Sequence, residues 1–452
     1  MVLREMVERF EAQAPVCVMA RAMMENVLSP KCLDGIFREH AHAQHEGTLL
    51  FSTVVDIMGL VATRVQPSVH AAYQAKTAEV GVTAKALYDK LQGIDGHVSQ
   101  ALVRQTAAKM ARITKATGRP LAEPLPGYYV KVLDGNHLRR TQRRLKVLRC
   151  VNGAPLPGHA LAVLDPQLKL IVDVFPCEDA YAQERSLLPA VLATVKPKEV
   201  WIADRNFCTV QFLWEIRAAK AFFVIRQHGN LPYELVGKRA RLGRCPTGMV
   251  YEQRLRIVAA DGMVASVRRI SIELDVPTRD GDAEIHVLTN LPRKVSAWKV
   301  AELYAGRWTI EAAFNEVALN LQGEIVTLGY PKAALFAFCV ALVAYNVLNV
   351  IQQVVNHVHE DTVGKDAISI YYLAGEVSRT YAGLEIAVGD TYWTKSYRDL
   401  SPQHMARELL RIAGHAKPAR YRKHKRGPKK PPPKMNKRKR NHVSTARLLE
   451  AG

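Results

Sequence analysis

Three acidic residues, far apart in the chain, stand where oxygen chemistry is usually built. Asp134 follows the apolar run YYVKVL, Asp204 follows EVWIA, and Glu311 lies within ELYAGRWTIEAAF. An acid at the end of an apolar strand comes to the rim of a sheet, where α/β proteins place their ligands. On a helix, Tyr304, Arg307 and Glu311 are spaced i, i+3, i+7 and project from one face, and Trp308 broadens that stripe. Three carboxylates brought together from two strands and a helix form a hard oxygen pocket suited to Mg²⁺ or Mn²⁺. A pair of such ions activates an oxygen nucleophile and steadies the leaving oxygen of an in-line phosphoryl displacement, with no covalent protein nucleophile.

Each residue also has a plainer reading. Asp134-Gly135 is an ordinary turn dipeptide, and Glu311 alone reads as a solvated helix residue. Asp165 precedes Pro166 and reads as a hairpin turn; Asp173, within LIVDVF, reads as a satisfied strand residue. Asp204, followed by Arg205 in WIADR, is less turn-like. The segment REHAHAQHE (38–46) carries three histidines but reads as a solvated helix, since His42 and His45 share a face that His40 does not. No phosphate loop G-x-x-x-x-G-K-[ST] and no G-x-S-x-G nucleophile elbow occurs.

The elements that must position these residues follow from periodicity. YYVKVLDG (128–135), HALAVLD (159–165) and LKLIVDVF (168–175) read as three consecutive strands. A helix over 180–195, a strand at 199–204, a helix over 210–220 and a strand at 222–226 continue the order. Residues 227–282 read as a β-rich insertion, EIHVLTNL (284–291) as a further buried strand, and 296–321 as one long amphipathic helix. Ahead of them, Leu49–Val65 and Ala84–Thr114 are helical, and the proline- and glycine-rich 118–127 is a linker. The fold class is therefore mixed α/β, preceded by an all-helical N-terminal region. Its divisions are 1–120 (helical, a DNA-binding candidate), 126–226, the insertion 227–282, 283–355, a helical 356–415, and a basic disordered tail from 416.

Charge points to the partner. Lys and Arg number 63 against 42 Asp and Glu, a net +21. Thirteen of these cations lie between Lys417 and Arg440, so the rest of the chain carries 21 − 13 = +8. A basic, low-complexity tail of this kind binds phosphates without reading sequence and makes affinity fall with salt. The seven cysteines are scattered without a C-x-x-C pair, which reads as a reducing compartment. The N-terminus MVLREMVERF lacks the apolar run of a secretion signal. The most apolar stretch, Ala333–Tyr345, is thirteen residues long and reads as a buried core helix, short of the ~20 residues that cross a bilayer.

Taken together, LDGNHL (133–138), IADRNF (202–207), LTNL (288–291) and Y-x-x-R-W-x-I-E-x-x-F (304–314) resemble bacterial insertion-sequence transposases of the DDE type, in particular the insertion-sequence-four group with its Y-R-E-K signature. The resemblance covers about residues 128–350. It implies an RNase H-like core with a β insertion between the second aspartate and the glutamate. It also implies that Asp134, Asp204 and Glu311 hold two Mg²⁺ or Mn²⁺ ions, while Tyr304, Arg307, Trp308 and Arg205 contact DNA. The activity implied is cleavage of double-stranded DNA at terminal inverted repeats and joining of the 3′-hydroxyls to target DNA. The enzyme would act as a homodimer on paired ends, in a bacterial cytoplasm on the nucleoid, with no membrane partner. One position departs from the signature: its lysine falls at Ala318. That departure motivates a second reading, a catalytically silent DNA-binding relative; a third is an RNase H-like nuclease without strand transfer.

Overall fold

The computed structural model describes residues 2–42, 44–139, 141–258, 262, 264–278, 281–364, 366–424 and 442–451. Strands form where β-branched and aromatic residues alternate: β1 (Tyr129–His137), β2 (His159–Asp165), β3 (Leu170–Cys177), β4 (Glu199–Ala203) and β5 (Phe222–Arg226). Their spatial order is β3-β2-β1-β4-β5, with β1, β2 and β3 an antiparallel meander and β4 and β5 parallel to β1. That order and polarity are those of an RNase H-like sheet, as the resemblance implies.

The insertion does not stand apart from this sheet. Its strands β6 (Tyr233–Cys245), β7 (Gly248–Val258) and β8 (Val264–Leu274) form an antiparallel meander, and β9 (Glu284–Thr289) pairs with both β8 and β5. Among the described residues the result is one sheet of nine strands.

The helical elements used below are α1 (Pro15–Val27), α2 (Phe51–Ala62), α3 (Gly96–Ala116), α4 (Val210–Ala218), α5 (Ala297–Ala305), α6 (Trp308–Asn320), α7 (Pro331–Val358), α8 (Ile370–Ala387) and α9 (Pro402–Ala413). The core lies on both faces of the sheet. Leu133, Leu161, Trp201 and Phe223 pack with Phe212 and Ile216 of α4 on one face. Val130, Val132, Val200 and Ile202 join α5, α6 and α7 on the other.

Four expectations change. Helix α7 spans 28 residues, more than twice the thirteen-residue run, and is long and apolar enough to cross a membrane. Its most apolar window is nevertheless wholly buried in the protein, and its polar residues are satisfied there: Asn346 bonds both N–H and C=O of Ile171, and Gln353 donates to the Leu168 carbonyl. The 180–195 segment is a 3₁₀ turn (Glu184–Leu187) and a short helix (Leu188–Leu192) that opens with Pro189. The helix before the histidines ends at His40, and the following residues leave the helix, so the solvated-helix reading of 38–46 holds only for its first turn.

The fourth change concerns the tail. At its described ends it is ordered: Tyr421 is buried with its hydroxyl on Glu376, His442–Ser444 pairs with Ala154–Leu156, and Thr445–Glu450 is helical. The remainder of the expected disorder, 425–441, lies outside the described residues. Glu376 of α8 also accepts the N–H groups of Val16 and Cys17 at the start of α1, so one carboxylate fastens the N-terminal helices to the C-terminal ones.

Candidate active site

Strand register brings the two aspartates together. Val132 of β1 lies opposite Ile202 of β4 in a parallel pair. Two residues further along each strand, on the same face, stand Asp134 and Asp204, on neighbouring backbones that run ~4.8 Å apart. Asp134 is not in a turn; it lies inside β1 opposite Ala162. A β-carbon at Gly135 would come within 1.8 Å of the carboxylate end of Glu184. The Asp-Gly pair sits within a strand, which corrects the turn reading. Asp165 and Asp173 behave as their plain readings predict. Asp165 caps the β2–β3 turn and binds Lys131, and Asp173 is held by Gln100 and Arg104.

Asp204 opens a 3₁₀ turn and accepts the Asn206 N–H at 2.7 Å. The helix expected over 296–321 is interrupted. At Gly306 and Arg307 the bonding tightens to i→i−3, with Arg307 N–H donating to Tyr304 C=O, and α6 begins at Trp308. The backbone stays in the helical region at both residues, so Arg307 and Glu311 still face β1. Arg307 is buried, and its guanidinium spans two of the acids: Nη1 donates to Asp134 Oδ2 at 2.7 Å and Nη2 to Glu311 Oε1 at 2.8 Å.

The electrostatics show a site short of positive charge. Burial pushes the Asp134 carboxyl up to about 7, and the charges of Asp204 and Glu311 push the same way. The Arg307 guanidinium and the Gly135 N–H only partly oppose them. Tyr304 is buried beside Arg307, and burial raises its phenol above the usual range. Trp308 is 60% exposed, its ring 4.7 Å from the Arg307 guanidinium, so it presents an indole face to solvent. Arg205 is exposed at the rim, near Asp282.

Sequence reasoning missed a supporting set. Glu184 accepts from the Asn206 side-chain amide at 2.6 Å and lies 3.8 Å from His137, while Arg185 donates to the Asn206 carbonyl. The Asp-x-Asn spacing of 204–206 is an Asx-turn signal that points to Asn206; nothing local to Glu184 announces its role.

The donor set fits a hard divalent cation: the oxygens are carboxylate, burial holds the Asp134 carboxyl up to about 7, and a guanidinium already stands between two of the acids. Among the described residues no three His, Cys, Asp or Glu side chains are gathered closely enough to hold a metal, and Arg307 stands between two of the acids.

Residues 157–347 match the family model described as the transposase DDE domain, a span that includes Asp204 and Glu311 and begins after Asp134. Over this region the chain is similar to DDE transposases. A Sinorhizobium fredii protein that carries the name of a transposase, y4zB, is 30% identical over 164 residues. That match covers 33% of this chain and 42% of the relative, so this chain spans less than half of the relative's length. Among solved structures, the piggyBac transposase synaptic complex with hairpin DNA aligns with a TM-score of 0.38 and 11% identity, over 90% of this chain and 86% of that one.

Proposed function

We propose that this chain is a transposase that cuts DNA at insertion-sequence ends and joins the 3′-hydroxyls to target DNA. The observation that carries the reading is the shared cation. Asp134 within one strand and Asp204 just past the end of its parallel neighbour stand on one face of the sheet under the helix that carries Glu311, and a single guanidinium is divided between Asp134 and Glu311.

In this reading Asp134, Asp204 and Glu311 would hold one or two Mg²⁺ or Mn²⁺ ions. Bound there, such ions activate the attacking oxygen and stabilise the leaving one. The chain's own groups do the rest. Asn206 holds the Asp204 carboxylate in its rotamer through its N–H, and Glu184 holds Asn206. Arg307 keeps Asp134 and Glu311 from repelling each other and is a phosphate ligand once it turns outward. Trp308 offers a stacking face, Tyr304 packs behind Arg307, and Arg205 reaches for a phosphate from the rim. DNA is the partner, paired ends would bring two copies together, and Asp134 belongs to the catalytic set although the family match begins beyond it.

The decisive test is Mg²⁺-dependent nicking of a duplex bearing the chain's own inverted repeat. Asp204→Asn keeps side-chain volume but removes a ligand charge, so cleavage should fall at least ~10³-fold with end binding unchanged. Undiminished cleavage by Asp204→Asn would reject this carboxylate. A folded parent chain that binds the ends but never nicks them would establish the silent DNA-binding reading motivated by Ala318. Cleaved ends without joined product would leave a nuclease.

A further inference from the structure

The chain that leaves β1 beyond Asp134 has an unusual charge pattern. Residues 139–149, RRTQRRLKVLR, hold six Lys and Arg among eleven residues and no acid. Arg140 lies outside the described residues; the other five cations are all exposed. Some arginines elsewhere on the surface find carboxylates, as Arg244 does with Asp275 and Arg447 with Asp179. Among the described residues no ion pair forms from Arg139, Arg143, Arg144, Lys146 or Arg149. Their bonds go to neutral partners: Arg143 to the Gly153 carbonyl, Arg144 to Gln142, and Arg149 to the Arg144 carbonyl.

Residues 141–149 are tied to the body of the protein. Thr141 N–H bonds the Pro155 carbonyl, Gln142 N–H bonds the Val326 carbonyl at 2.7 Å, and Leu148 is 1% exposed. Leu145 lies so close to Gly329 that a β-carbon there would meet it at 3.0 Å. A rigid backbone therefore presents a row of unneutralised charges, and like charges crowded in this way raise the energy of the free protein until a polyanion covers them.

The row begins at the candidate active site. A cavity of about 210 Å³ has Glu311 in its wall, with Arg139 and Asn136 from the β1 side and Asn315 and Ala318 from α6. Arg139 is its one cation among the described residues. The Arg139 N–H is held by Glu324 at 3.0 Å, while its guanidinium makes no bond to the rest of the described chain. Ala318, with only a methyl group, leaves that space open.

We infer that the 139–149 strap is the track along which the phosphate backbone of a DNA strand enters the candidate active site, with Arg139 as its innermost phosphate contact. This rests on the proposed DNA chemistry for the site it leads to, but its test does not. Binding to a short duplex of arbitrary sequence is followed by fluorescence anisotropy across a salt series, with Arg139→Gln, Arg144→Gln and Lys146→Gln combined. Each phosphate contact contributes about 0.9 to the slope of log affinity against log salt, so the triple variant should flatten that slope by about 2 to 3. The charge-keeping Arg139→Lys, Arg144→Lys pair should retain the parent slope, and an unchanged circular dichroism spectrum shows that both variants fold. A triple variant with the parent slope, or a flattened slope in the lysine pair as well, would overturn the track. Loss of nicking with the slope intact in the parent would count against the proposed function alone.

Discussion

Two places in this molecule bury clusters of opposite charge, and they do opposite things with them. In the helical body Arg21, 7% exposed, reaches Glu25 at 2.7 Å, Asp390 at 3.0 Å and Glu385 at 3.2 Å. Lys76 reaches Asp56, Glu79 and Glu385, and Arg398 reaches Glu25. Every acid there has a cation, and Glu25 and Glu385 have two. At the sheet rim, Asp134 and Glu311 divide one guanidinium, and Asp204 has a backbone N–H but, among the described residues, no ion pair. Burial of charge is common to both. What separates them is contact: each acid of the helical network touches a cation and the network ties α1 to α8, whereas at the rim Asp204 touches none among the described residues.

The sharpest way to break this comparison is to remove the arginine from each cluster. Arg21→Met takes one of two cations from each of the buried Glu25 and the half-buried Glu385 and should cost about 3 kcal/mol, seen as a fall in Tm that Mg²⁺ does not repair. Arg307→Met should destabilise less, because Glu311 is partly open to water, and it removes the group that occupies the gap between the acids. Millimolar Mg²⁺ should therefore raise the Tm of Arg307→Met by more than that of the parent. An equal Mg²⁺ response from both variants would erase the distinction between a closed network and a cation site.

Much of this was legible in the sequence, and the parts that were not share a cause. The strands that carry Asp134 and lead to Asp204 follow from apolar runs, although β1 continues past Asp134 to His137, and Glu311 follows from helical spacing; these are local signals. The break at Gly306 was hidden because the residues on either side keep helical periodicity. Glu184 was invisible because its role is a contact with Gly135 and Asn206, remote in sequence and set only by the packing of a 3₁₀ turn. The length of α7 was underestimated because Asn346, Asn349, Gln352, Gln353 and Asn356 read as polar, yet each is buried with its amide bonded. The basic strap after β1 was overlooked for a different reason: the larger charge excess near the C-terminus drew the attention that composition can give.

That C-terminal excess supplies the next test. Nine of its thirteen cations fall within 425–441, flanked by residues that pack on the body. Replacing 425–441 with a neutral Gly/Ser segment of equal length should weaken DNA binding by about 10–100-fold at physiological salt and flatten its salt dependence. The Tm should stay within about 1 °C of the parent. Deleting 417–452 outright is a different experiment: it strips Tyr421 from Glu376 and Ser444 from the Ala180 N–H, and its Tm should fall. A Tm loss from the neutral replacement would mean that the segment supports the fold after all.

The smallest expected effect comes from a buried group with no countercharge and no hydrogen bond. His159 is fully buried, its ring is stacked 4.9 Å from that of His137, and neither ring nitrogen has a partner. Burial pushes its pKa down to about 4, and the neighbouring His137 adds to the fall. The sign follows directly. Between pH 6.5 and 4 the unfolded chain binds a proton at this position and the folded chain does not, so stability falls as pH drops through that window and is unaffected above it. His159→Leu should reduce the acid loss by about 2 kcal/mol between pH 7 and pH 4 relative to the parent, measured as the difference in urea midpoints at the two pH values. Asp134 at the rim responds in the reverse sense. Because Asp134 is held up to about 7, protonation relieves its repulsion as pH falls, so the two effects oppose each other within one sheet. A pH dependence identical in His159→Leu and parent would show that the imidazole is already protonated and partnered in the fold, and that the rim alone sets the acid response.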